Sequence, residues 1–488
     1  RGLWPATMTG IEAIAQAGVG VGTRIQDMGQ DSAILVIASD FEEEAPVWWL
    51  QVKQAADRGA KVVVANARPT KLDRYAAATI RYAYGEAVAV MNSFAARARS
   101  RNKIARSLLE SRVDGYAELS EALKGVNVPY PDIADLLLDA ENVVIFAGGE
   151  GLTLAQHGEL MQAAANLLII TGHVGRPNNG LVGVWPGANV QGALDMGFSA
   201  ETTEALLASP PPMWIIAEAD PAGEDARAAA VIDKAEFVVV TSLFMTETAQ
   251  RADVILPGQS FAERDGTFTN GMRRVQRFYT AQGPMGESLP DWKIFAQIGS
   301  RLGGDKPRIS AGLVMKEITE KVMRYTDMAY TNLARVEKQF PDVGGEDLYY
   351  GGTAYANRGG LGVQWATNAE RENYRLTVRP VAVERPAQDG MQLIPVRILY
   401  DRGMWFRVSR LMHQRVPAPY AELNETDAAS LGIVDGDRIA VVFGESQVEV
   451  QAHVNGRAPV GHVLLPMQLN DDPAPTAPMT CVVRKIEE

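Results

Sequence analysis

The chain of 488 residues carries a single cysteine, Cys481, so no disulfide can form within it. Iron–sulfur clusters take several thiolates, so this stretch cannot hold one by itself. Its five histidines (His157, His173, His413, His453 and His462) fall into neither the HExxH pattern nor any other zinc spacing. Positive charge is in deficit, with 47 Lys+Arg against 59 Asp+Glu and a formal charge of −12. That sign argues against an extended basic face for nucleic acid. No apolar run reaches the ~18–20 residues that a spanning helix needs, so direct membrane insertion is not expected. One cysteine also suits a reducing, cytoplasmic compartment. Residue 1 is Arg rather than Met, and the stretch reads as a piece or processed form of a longer polypeptide.

Hydrophobic residues at 47% and charged residues at 22% are the balance of a folded globular protein. The length suggests about three domains. Residues 32–39 (SAILVIAS) and 61–65 (KVVVA) are continuous apolar runs, the mark of strands buried on both faces. Between them, residues 45–56 carry apolar positions at helical spacing and end at Arg58-Gly59. A right-handed strand–helix–strand crossover follows, with helical stretches to about Asp139. Residues 142–147 (NVVIFA) open a second unit, with a glycine turn at Gly148, Gly149 and Gly151 and a helix over 154–167. Residues 168–171 read as a short strand, and further strands are expected at 214–217, 237–241 and 253–256. Residues 172–197 are rich in Gly, Pro and Asn and read as a long loop of the binding kind. Beyond Gly390, short β-branched runs alternate with turns such as Val434-Asp435-Gly436-Asp437, the pattern of a small barrel.

The glycine turn could cradle a phosphate on its backbone N–H groups, but it matches neither GxGxxG nor a P-loop, and tight turns use glycine without any ligand. Asn189 and Gln191 sit among glycines in GANVQGA. Their amides could read the edge of a ring, or could satisfy buried backbone groups. Thr246 could cap a helix that follows it. Cys481 has no histidine near it in sequence and reads as a small apolar residue rather than a nucleophile. Trp48, Trp49 and the tyrosines at 349, 350 and 355 are candidates for a docking surface, since aromatics are enriched at interfaces.

Five stretches taken together resemble the large subunits of the molybdopterin oxidoreductase superfamily. They are 41–68, with EEEAPV and DRGAKVVVANAR; 171–197, with GRPNNGLVGVWPGANVQGALDMG; 237–276, from FVVVTSLFMTETAQRADVILP to RRVQ; 291–303 (DWKIFAQIGSRLG); and 420–466, with NETDAASLGIVDGDRIAVV. The resemblance implies two interleaved, doubly wound α/β domains of the formate dehydrogenase type plus a C-terminal β-barrel. The expected bounds are 1–139 for the first α/β domain (as an inserted unit), 140–305 for the second, 306–389 for a helical and irregular connection, and 390–488 for the barrel.

Within the superfamily the details look most like the large peripheral-arm subunit of respiratory NADH:quinone oxidoreductase. That likeness implies a redox-inert support domain among other subunits of a respiratory complex. It would lie peripherally on the inner face of the membrane, with its iron–sulfur clusters in a region before residue 1. Where catalytic members carry a metal ligand, the alignment places Leu3, Trp4 or Pro5, and none can ligate a metal. The superfamily's Asp-Pro-Arg appears as Asn66-Ala67-Arg68, and its Gly-Glu-Asp-Pro as Glu218-Ala219-Asp220-Pro221. From these departures no catalytic residue, no metal site and no molybdopterin are expected. A vestigial crevice is expected to gather Gly148, Gly149, Gly151, Asn189, Gln191 and Thr246, with the Glu218 carboxylate repelling a pyrophosphate. The alternative is part of an active molybdopterin oxidoreductase, such as a formate dehydrogenase alpha subunit, whose metal ligand lies upstream of residue 1. A free-standing nucleotide-binding protein is a third reading, against which the same departures count.

Overall fold

The computed structural model describes residues 1–304, 306–334, 362–384, 390–404, 406–470 and 474–487. The chain divides into two compact units. One comprises residues 5–186 and 367–488, and the other residues 1–4 and 187–366.

In the first unit the apolar runs form the strands β1 (Ser32–Ile37), β2 (Lys61–Ala65), β3 (Ala78–Ile80), the two-residue β4 (Val113–Asp114), β5 (Asn142–Ala147) and β6 (Gly180–Gly183). Five of them make one sheet in the order β3-β2-β1-β5-β6. Pairing is parallel, with Ile34 opposite both Val62 and Val144. Every residue of β1 is buried, because helices cover both faces of a parallel sheet. Each such Ile or Leu contributes about 1.5–3 kcal/mol of burial free energy. The expected boundary at 139/140 therefore falls inside a single sheet: β5 pairs along the whole length of β1. The segment inserted into the other is 187–366, not the N-terminal stretch.

Residues 168–171 are not a strand. The helix Leu154–Thr171 runs through them and stops at Gly172, which has φ 77. An apolar run of four residues has no period of its own, and here the helix already under way continues through it. Trp48 packs on Phe41 and Phe146 and Trp49 on Tyr75, so both rings are half-buried within the chain. Val47 and Leu50 of the same helix are the more open, at 66% and 51% exposed. The tyrosines at 349, 350 and 355 lie outside the described residues.

The second unit holds a parallel sheet of β7 (Met213–Ala217), β8 (Phe237–Ser242) and β9 (Val254–Pro257). Ile216, Val238 and Val240 pack with Ala222 and Ile232 on one of its faces. An antiparallel sheet of β10 (Gly266–Thr269), β11 (Arg274–Phe278) and β12 (Val363–Gln364) completes this unit.

Back in the first unit, β13 (Leu376–Thr377) pairs with β4. The strands β14 (Met391–Val396), β15 (Tyr420–Leu423), β16 (Arg438–Phe443), β17 (Ser446–Val454), β18 (His462–Pro466) and β19 (Met479–Lys485) close a six-stranded barrel. Alternate residues point inward, so Leu393, Leu423, Ile439, Val441, Val463 and Leu465 fill its core. Cys481 is buried among them.

Candidate functional site

Parallel strands end together, so the residues that follow β1, β2 and β5 meet at one edge of the sheet. Arg68, after β2, is 2% exposed there. It donates from Nε and Nη2 to the two oxygens of Glu150, after β5, at 2.9 and 2.7 Å. Its Nη1 donates to Asp40, after β1, at 3.0 Å. Tyr84 donates to Glu150 at 3.1 Å, and Arg457 approaches Asp40 at 3.5 Å. One guanidinium thus ties three strand ends together. Burial raises the Asp40 carboxyl above its ordinary range, and Arg68 opposes that rise.

The glycine turn is packed by its own chain. A Cβ on Gly148 would lie 2.5 Å from the Ala38 carbonyl oxygen, and one on Gly151 (φ 71) 2.0 Å from the Tyr84 ring. Gly148 and Gly151 thus admit close neighbours where a side chain would clash. Thr153 and Gln156 cap the helix that follows. On that helix His157 accepts from the Thr9 amide at 3.2 Å, and burial drops its pKa to about 4. The turn borders a small recess of about 30 Å³, lined by Gly149, Gly151, Glu44, Glu150, Arg397 and Met467 among others. Burial, with Glu150 second, pushes the Glu44 carboxyl up to about 8.

Asn189, Gln191 and Thr246 belong to the other unit. Asn189 Oδ1 accepts from the Thr269 amide at 2.8 Å, and Gly192 leaves room for it. Gln191 Nε2 donates to Asp195 at 3.0 Å, which also accepts from Tyr325 at 2.9 Å and Trp365 at 3.0 Å. Thr246 Oγ1 accepts from the Ala249 amide at 3.1 Å, at the start of a single 3₁₀ turn. Local structure therefore employs all three of these groups.

Glu218 follows β7 with φ 49, a left-handed conformation that favours glycine. Its carboxyl lies beside Asp291 and Arg264, and burial followed by Asp291 pushes it up to about 8. At neutral pH it is mainly uncharged. That rise weakens the expected repulsion of a pyrophosphate at neutral pH.

A family model described as Molybdopterin oxidoreductase matches residues 8–301, more than half of the chain. The chain belongs to the molybdopterin oxidoreductase family. A second model, the molydopterin dinucleotide binding domain, matches residues 391–483, the barrel. The alpha subunit of the F420-dependent formate dehydrogenase of Methanocaldococcus jannaschii is 27% identical, over 94% of this chain and 75% of the relative. The alpha subunit of the NADPH-Fe(3+) oxidoreductase of Geobacter sulfurreducens is 25% identical, over 92% of this chain and 54% of the relative. Acetylene hydratase from Pelobacter acetylenicus shares the fold, with a TM-score of 0.67 at 16% identity over 93% of this chain and 73% of that one.

These findings overturn the expectation that molybdopterin is unlikely. The barrel matches a dinucleotide-binding domain and the relatives include formate dehydrogenase alpha subunits. The side chains present fit such a group. Among the described residues, the buried Asn66 Nδ2 at the end of β2, and both amide atoms of Asn470 after β18, have no hydrogen-bond partner. A buried amide left unpaired costs about 1–3 kcal/mol, and a ring edge or a phosphate oxygen would relieve it. Sequence reasoning missed Asn470, Glu44 and the Arg68 clamp. Only Asn66 and Arg68 carried a signal, as parts of the altered Asp-Pro-Arg motif. Among the described residues no helix is long and apolar enough to cross a membrane.

Proposed function

We propose that the chain is the cofactor-binding portion of the alpha subunit of a molybdopterin oxidoreductase of the formate dehydrogenase kind. What supports this most is one observation: both family models match in order, over 8–301 and 391–483. In this reading Asn66 and Asn470 hold the pterin dinucleotide through the amide atoms that lack partners. Arg397, on the wall of the recess, supplies positive charge, and the Arg68 clamp keeps the three strand ends fixed while a ligand enters or leaves. When bound, the group supplies two-electron exchange with the substrate. Further subunits would carry electrons onward, since the relatives are named as alpha subunits.

The test is pterin released by oxidation from the complete parent polypeptide and read by fluorescence. Wild type is expected to release pterin, and Asn470→Leu several-fold less at equal protein. No pterin in either would defeat the proposal.

A second reading keeps the chain as a redox-inert support within an NADH:quinone oxidoreductase. It is favoured by the N-terminal residues, where the Leu3 amide donates to the Ser199 carbonyl at 3.0 Å and Trp4 Nε1 donates to Glu224 at 2.7 Å. Neither side chain offers a lone pair to a metal. Molybdenum or tungsten bound stoichiometrically to the parent would exclude this reading.

A further inference from the structure

We draw no further inference here: the strongest candidate, the groove of about 550 Å³ between the helix Ala87–Ser100 and the residues before Tyr130, carries nothing, because its one acid, Glu86, is already engaged and no described residue shows what else the groove would hold.

Discussion

Replacing Arg68 by Ala removes a cation that two buried carboxylates share. Arg68 makes three charge-assisted hydrogen bonds, two to Glu150 and one to Asp40. The side chains of Arg68, Asp40 and Glu150 are 2%, 4% and 2% exposed, so water cannot take its place. Removing one partner of a buried pair costs about 3–5 kcal/mol, and with two carboxylates stranded the upper end applies. Domains of ordinary stability hold about 5–15 kcal/mol, so the variant should be strongly destabilised yet still expressible. Urea unfolding followed by circular dichroism would measure it, as a lower midpoint with the slope unchanged. Neutralising all three groups together, as Arg68→Met with Asp40→Asn and Glu150→Gln, should cost much less, because no uncompensated charge remains. A loss below about 1 kcal/mol for Arg68→Ala, or a triple variant no better than the single one, would refute the clamp.

His157 is buried neutral with its pKa lowered to about 4. The unfolded chain therefore binds more protons between about 6.5 and 4, and stability should fall as pH drops through that window. His157→Gln should flatten the acid limb of a midpoint–pH curve. Gly151→Ala forces a Cβ at φ 71 to within 2.0 Å of Tyr84; strain and overpacking together predict a loss of about 2–5 kcal/mol. Gly197→Ala, at φ 81 with nothing within 4 Å, should cost only the strain, about 1–2 kcal/mol. Calorimetric melting of the pair separates the two terms. Burial pushes the Cys481 thiol up to about 12, so a disulfide reagent at neutral pH should label it only after denaturant is added. Rapid labelling of the native chain would place that thiol at the surface.

The strands of the first unit were legible because apolar runs such as 32–37 and 61–65 have no polar alternation, which marks strands covered on both faces. The barrel was legible from turns at regular spacing. The unit boundary was not, since a parallel strand does not announce its neighbour: β5 pairs with β1 across more than a hundred intervening residues. Of the expected site residues, Gly148 and Gly151 were readable as a tight turn, but only the structure shows Ala38 and Tyr84 occupying the space a side chain there would need. Asn189 and Gln191 read equally well as ring readers or structural amides, and Thr269 and Asp195 settle the use of Asn189 Oδ1 and Gln191 Nε2. Glu218 was read as a fixed negative charge, because sequence carries no information on its burial against Asp291.

The central claim is that this chain holds a molybdopterin cofactor, and the most direct measurement is the pterin and metal content of its complete parent polypeptide. Purified anaerobically, the parent should carry releasable pterin together with molybdenum or tungsten in proportion to protein. Preparations free of pterin and of both metals, from cells that load a known molybdoenzyme alongside, would contradict it.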